Sequence, residues 1–241
     1  MIRTILTALL IVLYLIVTYP VQLFLRATRE THRERNDRIA SRMIRGVLHI
    51  MIKIAGIRLT VTGKENIPDE PVLYVGNHRS YFDIVTTYVS IDTVCGYVAK
   101  IEMGRFPIFN KWMELLNCLL LDRSDIKQGL KTILAGIEQV KNGISIFIFP
   151  EGTRSQTDEL LEFKEGSMKI ADKSGCAIIP VAIKGTDNVW EKHVPFIRPA
   201  EVHIHFGEPI YPKQLSRDEK KFLGASVRDR IQKTLDEMDE E

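Results

Sequence analysis

The spacing of apolar residues divides the chain into two unlike stretches that meet near Gly56. Between Thr4 and Leu25 no charged residue occurs. As one helix that run would measure roughly 33 Å at about 1.5 Å per residue, close to a hydrocarbon core of roughly 30 Å. Pro20 and Gln22 lie inside it, with Thr18 and Tyr19 beside them, so a shorter helix that enters one leaflet and turns back is equally allowed. A basic stretch follows, not a small-x-small cleavage pattern, which argues against a removable signal peptide. Farther on, Arg35, Arg38, Arg42, Arg45, His49 and Lys53 recur at helical spacing, and Ile39, Met43, Val47, Ile50, Met51 and Ile54 fill the adjacent face. This is the pattern of an amphipathic helix in a membrane interface; a surface helix packed on its own domain is the plain alternative.

After Gly56 short apolar runs alternate with helix-like stretches. Ile57–Val61, Val72–Val75, Val94–Val98, Cys118–Leu121, Ile144–Phe149, Ala177–Ile183 and Val202–Phe206 read as strands. Ser80–Val89, Ser124–Lys141 and Lys164–Ser174 read as helices, and 215–238 as a charged terminal helix. Alternation of this kind predicts an α/β domain over 57–241 with a central mixed β-sheet flanked by helices. Residues 1–56 precede it as an N-terminal two-helix membrane-binding segment, one helix apolar and one basic and amphipathic.

Composition changes this picture little: 241 residues, 45% apolar, suffice for one compact domain and an accessory segment. The net charge of +2 hides an asymmetry. Arg26, Arg29, Arg33, Arg35, Arg38, Arg42 and Arg45 crowd the N-terminal region, whereas Asp236, Glu237, Asp239, Glu240 and Glu241 close the chain. The basic end is the one expected to face anionic lipid, with the domain on the cytoplasmic side; nothing calls for a nucleic acid partner. Cys95, Cys118 and Cys176 form no CxxC pair, which argues against a disulfide framework or a zinc site.

Two segments carry chemistry. Val75-Gly76-Asn77-His78-Arg79-Ser80-Tyr81-Phe82-Asp83 runs from a strand into a helix. With Ser80 as N-cap, Asp83 falls at the third helical position of a capping box. From there its carboxylate can accept the Nδ1–H of His78 and leave Nε2 free to take a proton from a hydroxyl. The plain alternative is a cap residue and a loop histidine. Second, Phe149-Pro150-Glu151-Gly152-Thr153-Arg154-Ser155 follows a buried strand. Gly152 lets a ligand approach the backbone, and Arg154 offers a planar fork matched to phosphate. Glu151 could hold that guanidinium or bond a sugar-alcohol hydroxyl; an ordinary surface Glu–Arg turn fits these residues as well.

The two segments together, in this order, strongly resemble the glycerolipid acyltransferase family over roughly residues 57–210. Lys100, the Leu121-Asp122-Arg123 run and Ile179-Pro180-Val181 add to the likeness. The resemblance implies His78 as general base and Asp83 as its orienting partner. It implies a glycerol-phosphate site at Glu151, Gly152, Thr153 and Arg154, to which Arg123 maps, with Lys100 and Lys164 near the phosphate. Pro180 falls in a motif that shapes the acyl-donor site. The implied reaction moves a fatty acyl group from acyl-CoA or acyl carrier protein to a hydroxyl of lysophosphatidic acid, with glycerol-3-phosphate or another lysophospholipid as alternative acceptors. It needs no metal or redox cofactor.

Two other classes compete. A lipid-binding module of the same fold has no need for the base, and a serine hydrolase lacks its nucleophile elbow, since no GxSxG is present. Walker, GxGxxG and HExxH signatures are also missing. His203 and His205 share a strand face without an evident third metal ligand, and His193 and Trp190 read as loop packing.

Overall fold

A computed structural model describes residues 1–240. All seven expected strands form: β1 (Ile57–Thr62), β2 (Leu73–Gly76), β3 (Cys95–Lys100), β4 (Leu119–Leu121), β5 (Ser145–Ile148), β6 (Ile178–Lys184) and β7 (Ala200–Phe206). They make one mixed sheet in the order β1-β7-β6-β2-β5-β3-β4, in which only the β6–β7 pair is antiparallel. The side-chain period of two assigns residues to faces. Tyr74, Phe147 and Ile179 point to one buried cluster, and Leu73, Ile146, Ile148 and Ile178 to the other.

The second cluster is covered by α6 (Ile126–Lys141), α7 (Lys169–Ser174) and α8 (Leu223–Glu240). Leu223, Val227, Ile231 and Leu235 line the inner side of α8 at four-residue spacing. The expected helix at Lys164 begins as a 3-10 turn, Glu165–Met168, before α7. On the first face lie α4 (Tyr81–Ser90), the N-terminal helices and α5 (Pro107–Leu115). The pattern did not single out α5, a nine-residue helix that opens on Pro107 at its first position.

The N-terminal segment is three helices, not two: α1 (Ile2–Val17), α2 (Tyr19–Ala27) and α3 (Arg29–Ala55). The apolar run breaks at Thr18, and the two pieces are bent by 47°. Together they have the length and composition to cross a membrane, whereas no single helix among the described residues does. Ile5, Leu9, Val12, Leu13 and Ile16 of α1 and Phe24 of α2 remain exposed.

The apolar face of α3 is a correction to the interfacial reading. Ala40, Val47, Met51, Ile52 and Ala55 are buried against the domain, and Ile39, Met43 and Leu48 pack on the same core. Ile50 stays exposed, but the rest of this face packs on the domain, so α3 is a core helix and α1–α2 carry most of the open apolar surface. Several of its arginines are likewise spoken for. Arg45 donates to the Ile91 and Thr93 carbonyls beyond the end of α4. Arg29 and Arg33 pair with buried Asp37 at 3.2 and 3.7 Å and donate to Asn117 Oδ1. Arg3, just outside the uncharged run, donates from Nη1 to the Ile54 carbonyl at 2.6 Å. It fits because Gly56, at φ +76°, has no Cβ; one would lie 2.6 Å from that nitrogen.

Asn117 locks this arrangement. It sits at φ 57° with its Nδ2 donating to Asp37 Oδ2 at 2.8 Å, and its carbonyl accepts from Gln139 at 3.0 Å. Asn117→Ala should lower unfolding free energy by about 3 kcal/mol, combining left-handed backbone strain with unpaired buried donors and acceptors. Chemical denaturation in detergent checks this; a loss below about 1 kcal/mol would show that the network does not tie α3 to the domain.

Candidate active site

The strands β2, β5, β3, β4 and β6 run parallel, so the loops that follow them open on one edge of the sheet. Such an edge is where open α/β sheets place ligands. β2 ends at Gly76 and α4 begins at Tyr81, leaving Asn77, His78, Arg79 and Ser80 to turn the chain. Asn77 is 1% exposed. Its amide pairs with Ile183 of β6 as a strand residue would: Nδ2 donates to the carbonyl at 2.9 Å, and Oδ1 accepts the N–H at 2.8 Å. The side chain thereby extends the ladder while the backbone is freed to turn.

Ser80 and Asp83 form the expected capping box. The carboxylate of Asp83, 0% exposed, does more than cap. Oδ2 accepts His78 Nδ1–H at 2.8 Å and the N–H groups of Arg79 and Ser80 at 2.7 Å each, while Oδ1 accepts the hydroxyl of Thr186. The N-terminal end of α4 adds its positive partial charge. Four donors and a helix terminus satisfy the oxygens of this fully buried carboxylate.

The turn after β5 holds His78 from the other side. Glu151 Oε1 accepts the His78 N–H at 2.6 Å, and the Ser155 N–H donates to the His78 carbonyl at 2.8 Å. Thus both main-chain groups of His78 belong to the second motif. Phe149 stacks on the imidazole, ring centroids 4.2 Å apart, at the end of an aromatic row running through Phe147 to Tyr97. The ring is fixed at Nδ1, packed on one face and 15% exposed, and Nε2 makes no hydrogen bond among the described residues.

Glu151 is the second correction. It binds neither Arg154 nor a position open to substrate: it is buried, and Oε2 accepts the Leu161 N–H at 3.0 Å. Burial raises its pKa above the ordinary carboxylate value; the two backbone donors and His78 pull it back only in part. Its role is to tie two loops together. The carboxylate partner of Arg154 is instead Glu191, at 2.9 Å, a residue the motifs did not mark. Arg154 also sits over the Tyr81 ring, its Cζ 4.0 Å from the centroid.

Gly152 takes φ +76°, which favours glycine, and a Cβ there would meet Lys164 Nζ at 3.1 Å and Arg123 Nε at 3.7 Å. The loop returns because the Lys164 N–H donates to the Pro150 carbonyl. Lys164 and Arg123 therefore converge on this turn, and neither has a carboxylate within 4.0 Å among the described residues. Burial lowers the pKa of Arg123, and the charge of Glu102 opposes the shift. Thr153 is exposed on the turn. Lys100, at the end of β3, is mostly exposed and, unlike Arg123 and Lys164, has a carboxylate partner, Glu102 at 3.0 Å. Arg79 is paired with Asp187 at 2.8 Å and with Asp158. His205 bonds Thr62 at 2.9 Å on β1, remote in topology from this edge.

A mixed α/β sheet thus brings a His–Asp pair and cations without carboxylate partners to one strand edge. The chain belongs to the acyltransferase family: the model of that family, described as Acyltransferase, matches residues 58–184. It is 33% identical to a 1-acyl-sn-glycerol-3-phosphate acyltransferase of Borreliella burgdorferi over 83% of this chain and 80% of that one. The enzyme of the same name from Saccharomyces cerevisiae is 32% identical over 79% of this chain and 64% of its own length. The crystal structure of a 1-acyl-sn-glycerophosphate acyltransferase from Thermotoga maritima superposes with a TM-score of 0.77, 29% identity and 98% coverage of both chains.

The raised pKa of Glu151 fixes the sign of a pH effect. Above the ordinary carboxylate range of about 4.5 the folded protein holds this proton more firmly than the unfolded chain, so stability falls as pH rises through the interval up to the folded pKa. Subtracting the stability–pH curve of Glu151→Gln from that of the wild type should leave this falling component. A flat difference would mean that burial does not perturb Glu151.

Proposed function

We propose that the protein transfers a fatty acyl group from a thioester, acyl-CoA or acyl-acyl carrier protein, to the free sn-2 hydroxyl of 1-acyl-glycerol-3-phosphate, producing phosphatidic acid. The observation that carries this reading is the clamped imidazole: Asp83 holds Nδ1 and leaves Nε2 at the edge beside the cationic turn. The names of the related enzymes support the same acceptor.

In the step envisaged, His78 Nε2 takes the hydroxyl proton as the oxygen attacks the thioester carbonyl. The imidazolium that forms is stabilised by Asp83. Collapse of the tetrahedral adduct breaks the C–S bond and releases a thiolate, which receives the proton from Nε2. A thiol is a good leaving group near neutral pH, by analogy with cysteine at roughly 8.5, so one base can serve both halves. Arg123, Lys164 and Arg154 supply the cations for the headgroup phosphate, with Gly152 permitting close approach. No metal or redox group is needed for these steps.

The exposed apolar side of α1 and α2 seats the domain on the bilayer, where acceptor and product reside, with the arginine-rich flank and the catalytic edge on the cytoplasmic side. Extracting an acyl chain into water would cost about 0.8 kcal/mol per CH₂, which a site at the interface avoids.

Phosphatidic acid formed and thiol released, measured with long-chain acyl-CoA and lysophosphatidic acid in detergent, test the reading. His78→Ala should lower acceptor-dependent transfer by about 100-fold or more. Thiol release that ignores the acceptor would instead mark a hydrolase. Lys164→Ala and Arg123→Ala should each raise KM for lysophosphatidic acid by about tenfold, one charge-assisted hydrogen bond apiece; unchanged KM values would move the phosphate elsewhere.

A further inference from the structure

The three cations proposed for the headgroup are not in the same electrostatic state. Arg123 and Lys164 have no carboxylate partner among the described residues, whereas Arg154 has one. Glu191 Oε1 accepts Arg154 Nη1–H at 2.9 Å and, with the same oxygen, the backbone N–H of Tyr81 at 2.9 Å. Tyr81 is the first residue of α4, a ten-residue helix. A guanidinium and a first-turn N–H at the positive end of a helix make an anion site, and a side chain of the protein fills it. The other oxygen of Glu191 is buried and accepts no hydrogen bond among the described residues, so the carboxylate satisfies the site while remaining half satisfied itself. Glu191 opens a 3-10 turn, Glu191–His193, in the connection between β6 and β7. It belongs to no strand, so the sheet's hydrogen-bond ladder does not hold it.

We propose that Glu191 is a resident counter-anion, holding the place on Arg154 and the α4 N-terminus that the phosphate of the acceptor takes in turnover. The inference rests on the phosphate-acceptor reading above. A phosphomonoester brings three oxygens and a charge of about −1.5 to −2, against two oxygens and a single charge for the carboxylate, so exchange favours the phosphate. The consequence is one of mass action: an internal competitor weakens every anionic ligand of this site by the same factor. An acceptor concentrated at the bilayer by its acyl chain still fills the site. Inorganic phosphate and water-soluble phosphate esters, which lack the chain, fill it less than they would a site without the competitor. Glu191 thereby makes occupancy depend on the acyl chain without touching it.

The test is calorimetric titration of inorganic phosphate into the full-length protein in detergent, comparing wild type, Glu191→Gln, Glu191→Ala, and Glu191→Gln combined with Arg154→Gln. The phosphate Kd should fall about tenfold in both single variants, because a charge-assisted competitor is gone, and the gain should vanish in the double variant. In turnover, KM for lysophosphatidic acid and the inhibition constant of phosphate should fall together. A phosphate Kd that is unchanged or higher in both single variants overturns the proposal. So does a raised KM accompanied by a lower kcat, which would make Glu191 a support that aims Arg154. The binding arm needs no turnover. If the wild type fails to acylate lysophosphatidic acid while phosphate still tightens in the variants, the acceptor reading falls and the counter-anion assignment stands.

Discussion

A carboxylate with no exposure to water organises the catalytic edge. The carboxylate of Asp83 is met inside the protein by a ring N–H, two backbone N–H groups and a hydroxyl, which point at it from the β2–α4 loop and from beyond β6. Each of those donors is held in turn by the need to satisfy the charge. The loop cannot relax without stripping donors from a buried ion, a loss of several kcal/mol. One group therefore fixes the start of α4, the tautomer of His78 and the approach of the segment carrying Thr186.

Glu151 does for the main chain what Asp83 does for the ring. With Ser155 it grips both sides of His78, so the motif after β5 and the motif after β2 form a single unit across adjacent parallel strands. The cationic turn is thereby held in register with the base. Gly152 lies against Lys164 and Arg123 in that turn, and Arg154 reaches Tyr81 and Glu191. Charge in this region is divided between pairs that build the loops, such as Arg79 with Asp187, and cations left without partners.

The N-terminal helices show the same division between building and use. α3 buries its apolar face and commits Arg29, Arg33 and Arg45 to contacts within the protein. What remains open is the apolar outer side of α1 and the short α2, held to the domain by Arg3 on the end of α3 and by Gln22, which donates to the Ile108 carbonyl at 2.9 Å. These contacts, with those of Arg29, Arg33 and Arg45, tie the open apolar surface to the domain that carries the catalytic edge.

Local chemistry in the sequence determined the seven strands, the α/β class, the Ser80–Asp83 capping box and the glycine turn after β5, because period, caps and positive-φ demands act over a few residues. The His78–Asp83 pair was legible for the same reason, five positions apart across one cap. Other contacts only the tertiary structure decided. Glu191 reaches Arg154 from 37 residues away and Thr186 reaches Asp83 from 103, through connections whose own sequences carry no periodic signal. A carboxylate three residues before Arg154 suggests a partner for that guanidinium or for a ligand hydroxyl; the fold turns Glu151 inward, where it accepts from two backbone N–H groups. The apolar face of α3 was equally ambiguous. A hydrophobic stripe specifies that water must be excluded but not by what, and here the sheet lay closer to hand than a bilayer.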